Sequence, residues 1–577
     1  MKNRKNVKRG LALALAVATS ISAFGLAGCK KKVSDTTETL EVFVWEAGYG
    51  VEWCKSLLDS FAQEDWVKAK YPNLEIVFDK DGNKATYNTK IDAGERANTV
   101  DLFFTASLSN YVGKDVSGNE FFSDLTETVF NQKVPNEEIT VKDKMLPTYL
   151  DSIRYYDLGE DSNSDVPFKS YVFPWASGMD SIIYNADHLE AMNLEVPLTT
   201  KQFIETCDTI SKKGVGLDEY YSTAINDKGG YAIMTDGGGN YWNYLYPVWW
   251  GQYEGIEEYY NFFNGVHNDM ISAEVFKQKG KLYSLTTMEN ILKWKNNFVY
   301  KESSLKTYME AQSNFLKGDG VFYAQGDWFA KEMESTKAQI KSEYGIDYNI
   351  RMMKMPIVSE IINDGNTPTI PNEETLRAVI RAIDEGYDSV ASALQAAQND
   401  LVNVSEADYA KIMEARGIVH AIGPLHQAGV PSYAKGKDVA FDFLRYMATD
   451  KAQEIYMKAT GGASLPFNYD LKTKNPALYD ELFANSNVFA IEQDRLSFLY
   501  EQCYETHVLP DPNSFPLVKW GGMSDIHSLN GSSVVAYFIA QNSLASGEKL
   551  YNDDILYYYG TTGTDGAFSE CRSLANL

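Results

Sequence analysis

Cysteine, histidine and basic side chains are all scarce in this chain, and each shortage narrows what the protein can be. Only 5 cysteines and 6 histidines occur among 577 residues. The histidines have none of the spacings by which metal sites are recognised, so we expect no metal and no cofactor. Acidic residues number 79 against 53 basic ones. Nucleic acids and anionic surfaces are therefore poor partners, and we expect no nucleic acid to bind.

A long apolar run is also missing, except near the amino terminus. Basic residues within 2–9 precede an apolar run over 11–26 that is too short for a comfortable membrane span. The run ends in Leu26-Ala27-Gly28-Cys29, which resembles the lipoprotein box of bacteria, in which the cysteine is diacylated. We expect a signal peptide over 1–28, which is removed, and a polar tether over 29–38. Lipid on Cys29 is expected to anchor the protein to the cell membrane, outside the cytoplasm.

Two other outcomes are open for this leader, namely an uncleaved anchor and cleavage without lipidation. The leader contains five basic residues and no acidic one, so its removal changes the formal charge from −26 to −31.

Four cysteines remain after Cys29, and they lie far apart at Cys54, Cys207, Cys503 and Cys571. Two disulfides are possible in an oxidising compartment, but the sequence cannot pair them. Cys54 and Cys207 occupy the apolar faces of predicted helices. This position favours packed free thiols at both.

Hydrophobic patterns near the start of the mature chain predict a β-α-β unit. A strand over 40–45 is followed by a glycine-containing turn at 48–50 and by a helix with an apolar face over 54–61. Strands over 74–78 and 101–104 continue the pattern. We expect these strands to form a parallel sheet with helices on both faces.

The pattern predicts a second α/β unit farther along the chain. It includes strands over 181–184 and 321–324 and a helix over 199–213. The stretch 372–416 is expected to be wholly helical, and a pair of helices is expected just before the two glycines at 461–462.

Aromatic residues are concentrated in the loops that follow the predicted strands. Ligands of α/β sheets bind beyond the carboxyl ends of strands, and rings stack on the apolar faces of sugars while neighbouring polar groups bind the hydroxyls. The alternative is that each ring belongs to the core. This argument selects Trp45, Glu46, Tyr49, Trp175, Tyr241, Trp242, Asp327 and Trp328 as candidate ligand contacts. The segment that contains Tyr241 and Trp242 supplies further rings at Tyr244, Trp249 and Trp250.

Catalytic motifs are weak. A glycine-containing stretch over 429–437 and an acidic turn over 79–83 lack the spacings of a phosphate loop and of a calcium loop. No pair of carboxylates is singled out for glycoside hydrolysis. We therefore expect a binding protein and not an enzyme. A surface glycoside hydrolase and a structural adhesin without a cleft are the rival interpretations.

Five sequence blocks follow one another along most of the chain. They are LEVFVWEAGYG (40–50) with YPNLEIVF (71–78), VDLFFTA (100–106), YVFPWASGMDSIIYNADHLEA (171–191) with PLTTKQF (197–203), NFLKGDGVFYAQGDW (314–328) and DVAFDFLRYMATDKAQEIYMKATGGASLP (438–466). Together these blocks resemble the family 1 extracellular solute-binding proteins of ATP-driven (ABC) importers, the group that includes the maltose-binding protein.

The resemblance implies an α/β fold of class II with two periplasmic-binding-protein-like lobes and a ligand cleft that closes between them. Lobe one is expected over 39–170 plus 418–465, and lobe two over 171–417 plus 466–577. Residues 360–416 are expected to be a helical insertion that the family pattern lacks. Gly178 stands where sugar-binding relatives can have a charged hinge residue.

The resemblance also implies a function and a set of contacts. We expect a monomer that binds a sugar, an oligosaccharide, and delivers it to a membrane permease. A peptide, a polyamine or another metabolite is the alternative ligand, which the acidic side chains of Glu46, Asp236 and Asp327 leave open. The family's contacts correspond to Trp45, Glu46, Ala106, Ser107, Tyr241, Trp242 and Trp328, with Trp520 as a weaker match.

Overall fold

The computed structural model describes residues 38–96, 98–108, 111–113, 120–155, 167–213, 231–237, 241–264, 266–267, 270–271, 278–292, 296–421, 426–483 and 490–509. Its strands are β1 Thr39–Trp45, β2 Glu75–Asp81, β3 Leu102–Thr105, β4 Phe173–Pro174, β5 Asp180–Asn185, β6 Ile233–Met234, β7 Val266–His267, β8 Met270–Ile271, β9 Phe322–Gly326, β10 Ile350–Met353, β11 Ile418–His420, β12 Gln427–Gly429 and β13 His507–Leu509.

Helices connect and cover these strands. The α-helices are Glu52–Phe61, Asp65–Lys70, Lys84–Ala93, Val141–Lys144, Pro147–Ser152, Ala186–Ala191, Thr200–Lys213, Tyr246–Glu254, Ile256–Asn264, Lys279–Leu292, Tyr308–Leu316, Phe329–Glu332, Glu334–Tyr344, Glu373–Asp384, Val390–Gln395, Glu406–Gly417, Lys437–Met447, Asp450–Thr460, Leu471–Lys474, Pro476–Phe483 and Ala490–Tyr500. Short 3-10 helices are Gly94–Arg96, Trp242–Tyr244, Ser303–Leu305, Ser359–Ile362 and Asn399–Leu401, and Thr126–Phe130 is a π-helix.

The first sheet has the strand order β2-β1-β3-β12-β4. β1 pairs in parallel with β2 and with β3, so that Val42 is aligned with Phe78 and with Leu102. β12 is antiparallel to both β3 and β4. The expected parallel pairing is confirmed for β2, β1 and β3, and the sheet also contains β12 and β4, which the sequence pattern did not predict. β12 is not part of a β-α-β unit, because the chain reaches it directly from the second sheet.

The second sheet is mixed, with the order β13-β11-β5-β9-β6 and with β10 also paired to β5. β5 is antiparallel to β9, β10 and β11. Consecutive residues of β5 point to opposite faces, since Ile182 joins one apolar cluster and Ile183 another. The sheet is therefore covered on both faces, and the strands predicted at 181–184 and 321–324 are confirmed.

The chain passes between the two sheets three times in its described part. The first crossing joins β4 to β5, the second joins β11 to β12, and the third leads from the helix Asp450–Thr460 to the helix Ala490–Tyr500, which packs on β10. The first and third crossings lie side by side, because the Ser177 backbone N–H donates to the Ser464 carbonyl at 2.9 Å. The predicted bounds of the lobes stay a prediction, and β4 lies just beyond the predicted end of the first segment of lobe one.

The stretch predicted to be a helical insertion is helical but not continuous. It contains the helices Glu373–Asp384, Val390–Gln395 and Glu406–Gly417 with turns between them. Leu376 and Ile412 join the main core of the second lobe. These helices thicken the second lobe on the side where Trp249 is buried.

The cysteines agree with their expected packing where the structure describes them. Cys54 and Cys207 are buried free thiols, and Cys503 is a half-buried free thiol. Burial raises the pKa of the Cys54 thiol and of the Cys207 thiol. The leader, Cys29, Trp520 and Cys571 lie outside the described residues. Among the helices that are described, none is both long and apolar enough to cross a bilayer.

Candidate functional site

The loop after β1 meets the loop after β9 at the junction of the two lobes. The Tyr49 hydroxyl donates to Asp327 Oδ1 at 2.7 Å, and both side chains are buried. Gly178, in the first crossing, lies against this bond: a Cβ atom there would be 2.4 Å from the Tyr49 oxygen. No side chain fits at that position without movement. A glycine at 178 is therefore explained by close packing at the crossing.

Trp328 links the lobes. It follows β9 of the second sheet, yet its ring belongs to the apolar core of the first lobe and is only 6% exposed. The ring lies so close to Gly48 that a Cβ atom on that residue would be 2.8 Å from Trp328 Cδ1. The indole is thus held between the loop after β1 and its own strand.

Seven rings form a connected set, which we call the aromatic row, from the first sheet to the second. Neighbouring centroids are 4.9–6.4 Å apart, within the range of stacked and edge-to-face aromatic pairs. The pairs are Trp45–His426 at 5.9 Å, His426–Tyr49 at 5.8 Å, Tyr49–Trp328 at 6.4 Å, Trp328–Tyr241 at 6.0 Å, Tyr241–Tyr244 at 6.3 Å and Tyr244–His420 at 4.9 Å.

Three members of the aromatic row keep accessible surface. Trp45, Tyr241 and Tyr244 are half-buried, and Tyr241 packs against the cores of both lobes. Of the predicted polar contacts near the end of the first sheet, Glu46 is exposed and Ser107 is half-buried. The structure therefore brings half-buried rings to the junction, and Glu46 and Ser107 follow two parallel neighbouring strands at one edge of the first sheet.

A group that we call the charge cluster, Arg495, Asp327 and Glu492, lies behind the row and is fully buried. Arg495 Nε is 3.0 Å from Asp327 Oδ2 and 2.7 Å from Glu492 Oε2. The same guanidinium donates to Ser464 Oγ at 3.1 Å and to the Gly462 carbonyl at 3.0 Å. One guanidinium therefore ties the second lobe to the crossings.

Burial controls the electrostatics of the charge cluster. It raises the pKa of Asp327 well above its usual range, repulsion from Glu492 raises that pKa further, and Arg495 opposes the shift. Burial also raises the pKa of Glu492, again against the effect of Arg495. The hydroxyl pKa of Tyr49 is raised by burial and by the nearby Asp327 charge. These carboxyls interact with each other and with the guanidinium, and they have almost no surface to offer a solute.

Several predicted contacts lie in surroundings that differ from the expectation. Trp175 is 0% exposed, stacks on Trp53 at 5.0 Å and donates from Nε1 to the Thr105 carbonyl at 3.0 Å. Trp242 is also 0% exposed and donates to the Met234 carbonyl at 3.1 Å. In this structure both rings, like Asp327, support the junction from within. Trp520 lies outside the described residues.

Sequence reasoning missed three residues of this junction. His426 and His420 belong to the aromatic row, and Arg495 is the cation of the charge cluster. The histidines were set aside because they lack metal-ligand spacing, and nothing in the local pattern marks Arg495. Only a buried carboxylate after β9 could have indicated that a cation was needed. Within the described ranges, no group of three or more possible ligands could hold a metal ion.

Comparisons with known proteins agree with this architecture. The family model described as bacterial extracellular solute-binding protein matches residues 55–454. A solved chitin oligosaccharide binding protein is 14% identical with a TM-score of 0.50, and the match covers 93% of this chain and 99% of that one. A family 1 extracellular solute-binding protein from Bifidobacterium longum subsp. infantis is 12% identical with a TM-score of 0.48, covering 91% and 99%.

Maltose-bound MalE3 of T. maritima is 13% identical with a TM-score of 0.49, covering 93% of this chain and 98% of that one. A search of curated proteins found no match. At these identities the likeness concerns the fold alone, and the match at a TM-score of 0.50 agrees with two α/β lobes.

Proposed function

Because this chain belongs to the bacterial extracellular solute-binding proteins, we propose that it captures an oligosaccharide between its lobes and passes it to the membrane permease of an ABC importer. The family and the fold are those of binding proteins and not of enzymes. The observation that carries the proposal is the aromatic row, which extends from one lobe to the other and keeps three half-buried rings.

Ring faces suit a sugar for a physical reason. Each pyranose ring has apolar C–H faces and a rim of hydroxyls, so it gains contact area on an aromatic ring while its rim seeks hydrogen bonds. Trp45 on the first lobe and Tyr241 on the second would contact different parts of one ligand. The carboxylate of Glu46 and the hydroxyl of Ser107 would bind the rim. A ligand held from both lobes favours the closed state.

A neutral ligand fits the charges better than a cationic one. The negative charge of Glu46 is offset by Lys80, because Lys80 Nζ lies 3.3 Å from Glu46 Oε1. Asp327 is buried and faces Arg495, and Asp236 is buried as well. A cationic ligand, such as a polyamine or a peptide, would need one of these three carboxylates. Glu46 already has a cation beside it on the surface, and Asp327 and Asp236 are inaccessible. The sugar is therefore favoured.

The proposal is tested by a binding screen with closure as a second readout. The probes are maltotriose, raffinose, xylotriose and chitotriose, chosen to vary linkage and substituents. We expect at least one to raise the melting temperature, since a ligand that binds only the folded state stabilises it by mass action. The same sugar should reduce the radius of gyration in X-ray scattering. Failure of every sugar to bind would overturn the sugar proposal, and binding without compaction would overturn closure.

We also propose that lipid on Cys29 holds the protein at the membrane surface, next to the permease. The basis is the leader and its Leu26-Ala27-Gly28-Cys29 box. Metabolic labelling with a fatty-acid probe should mark the wild type and not Cys29→Ser. Cys54→Ser is the matched control, because the Cys54 thiol is buried in the first lobe. This variant should be labelled at the wild-type level. Equal labelling of all three proteins would contradict the anchor.

A further inference from the structure

Trp45 is the half-buried ring at the first-lobe end of the aromatic row, and two contacts from different segments hold its side chain. Its indole stacks on the imidazole of His426, with ring centroids 5.9 Å apart and an interplanar angle of 24°. Its Nε1 donates to the Gly82 carbonyl at 3.2 Å. The stacked ring sets the plane of the indole, and the hydrogen bond sets the direction of its edge. Together the two contacts define one orientation.

The hydrogen-bond acceptor, Gly82, belongs to the acidic turn over 79–83 that lacks the spacing of a calcium loop. The turn is fixed by two hydrogen bonds. The Asn83 backbone N–H donates to Asp81 Oδ1 at 2.8 Å, and the Glu46 backbone N–H donates to the Asp81 carbonyl at 3.0 Å. The turn is therefore tied to the end of β1, and its next carbonyl lies ready for the indole.

The stacking partner, His426, is supported by the core of the first lobe. Its ring meets the Trp175 ring edge-on at 4.6 Å and lies 5.8 Å from the Tyr49 ring. The Trp175 backbone N–H donates to the His426 carbonyl at 3.0 Å. Trp175 itself is fully buried and stacks on Trp53. A chain of packed rings thus leads from the core to the half-buried indole.

The two stacked rings differ in what they can offer a ligand. His426 is only 4% exposed, so it has almost no surface for a solute, whereas Trp45 keeps part of its surface. An effect of His426 on binding must therefore pass through Trp45. Such an effect is expected on physical grounds, because a side chain that must be immobilised when a ligand binds costs affinity, and one that is already held does not.

We propose that His426 is a positioning residue of the sugar site, and that its imidazole, together with the Gly82 carbonyl, holds the indole of Trp45 in the orientation in which a sugar stacks on it. This inference rests on the proposed function and deepens it, since it names the groups that preorganise one of the half-buried rings. It also assigns Trp45 a restricted role. The indole N–H is engaged by Gly82, so the residue offers the sugar a ring surface and no hydrogen-bond donor.

Two substitutions of His426 that differ in shape test this role. His426→Phe keeps a flat ring on which the indole can stack, and His426→Leu removes it, while both give up the imidazole nitrogens. We expect His426→Leu to weaken binding about fivefold and His426→Phe to stay within about twofold of the wild type. Calorimetry with the tightest of maltotriose, raffinose, xylotriose and chitotriose gives the affinities.

His188→Leu is the matched control for the loss of a buried histidine. His188 is 2% exposed, and its ring packs against Tyr348 at 4.7 Å in the second lobe. We expect this variant to bind sugar with the wild-type affinity. A loss of affinity in His188→Leu as large as that in His426→Leu would overturn the inference, and so would equal affinities of His426→Leu and His426→Phe.

The same substitution in a Trp45→Ala background separates positioning from a general structural role. If His426 acts through the indole, His426→Leu should cause no further loss of affinity once the indole is gone. An equal loss with and without the indole would overturn the inference, as would an affinity that Trp45→Ala leaves unchanged. If no sugar of the panel binds the wild type, the proposed function is overturned and the inference with it, which is a different result from binding that ignores Trp45 and His426.

A measurement on the unaltered chain covers variants that do not fold. With tryptophan labelled by ¹⁵N, the heteronuclear NOE of each indole N–H reports its motion. Trp242 is the internal reference, because it is fully buried and its Nε1 donates to the Met234 carbonyl at 3.1 Å. We expect the indole of Trp45 to be as rigid as that of Trp242 without sugar and to gain no rigidity with it. An indole of Trp45 that is mobile in the free protein and ordered only by the sugar would overturn the inference.

Discussion

The charge cluster and the half-buried rings of the aromatic row both lie at the junction of the lobes, yet they differ in exposure. Asp327 and Trp328 are neighbours in sequence, and the first joins Arg495 in a fully buried cluster while the second joins the rings. Arg495, Asp327 and Glu492 have almost no accessible surface, whereas Trp45, Tyr241 and Tyr244 keep part of theirs. The loop after β9 thus contributes one residue to the aromatic row and one to the charge cluster behind it.

This difference has a physical cause. A buried charge needs a partner in place at all times, so the loops close around Arg495 and no water or solute reaches it. A ring has no such requirement, because half of its surface can remain in water at little cost until a ligand covers it. We therefore expect changes in the cluster, and in Tyr49 that donates to it, to affect stability, and changes in the half-buried rings of the row to affect binding.

The largest effect is expected for Arg495→Met. It leaves Asp327 and Glu492 buried without their cation, and breaking a buried pair in this way costs about 3–5 kcal/mol. Urea unfolding should show that loss in the free energy of unfolding. The control combines Arg495→Met with Asp327→Asn and Glu492→Gln. This triple variant should recover most of the lost free energy of unfolding. A loss below about 1 kcal/mol in Arg495→Met alone would contradict a stabilising role of the cluster.

Tyr49→Phe should have the next largest effect, again on stability. It removes the hydroxyl that donates to Asp327 at 2.7 Å, and hydrogen bonds to charged groups contribute about 1.5–3 kcal/mol. Unfolding in urea should therefore show a loss of about 2 kcal/mol. Tyr244→Phe makes the same change at a half-buried tyrosine of the row. A loss for Tyr244→Phe as large as that for Tyr49→Phe would break the comparison.

Trp45→Ala should affect binding and not stability. The ring is half-buried at the end of β1 and stacks on His426 at 5.9 Å, so its removal should weaken sugar binding by about 1.5 kcal/mol, roughly tenfold. Calorimetry measures the affinity and urea unfolding the stability. Trp242→Phe is the control, since that ring is fully buried; we expect it to lower stability and leave the affinity alone. The reverse pattern would exchange the two roles.

The smallest effect is expected for salt. A neutral sugar makes no ion pair that ions could screen, although the mature chain has a formal charge of −31. Affinity should therefore change by less than about twofold when salt rises from about 0.1 M to about 1 M, while the Debye length falls from about 10 Å to about 3 Å. A loss of about tenfold would instead indicate a cationic ligand and a direct role for Glu46.

Much of the fold could be predicted because local patterns are strong where single elements are concerned. The strand at 40–45 and the helix ending before Gly461 appear as Thr39–Trp45 and Asp450–Thr460, since alternating and helical spacings of apolar residues report directly on one buried face. The antiparallel direction of β12 was missed, because the direction of a strand depends on which sheet the chain comes from. That information is not local.

The candidate site, too, could be predicted only in part from the sequence. The loops after β1 and β9, which contain predicted contacts, meet at the junction. The predictions for Trp45, Glu46, Ser107, Tyr241 and Trp328 remain predictions of ligand contact. Arg495 was not found, because it comes from a helix far along the chain and reaches Asp327 only through the third crossing. Long-range pairs of this kind leave no periodic signal.

The sequence by itself determined the family resemblance, the positions of most strands and helices, and the loops that carry aromatic and acidic residues. Each of these depends on residues that are close in the chain. The tertiary structure alone decided that Asp327 pairs with Arg495, that Trp175 and Trp242 are buried and that His420 faces Asp180. The physical reason is that exposure and charge pairing are set by segments that come together from different lobes, and the free energy of burying a group depends on those neighbours.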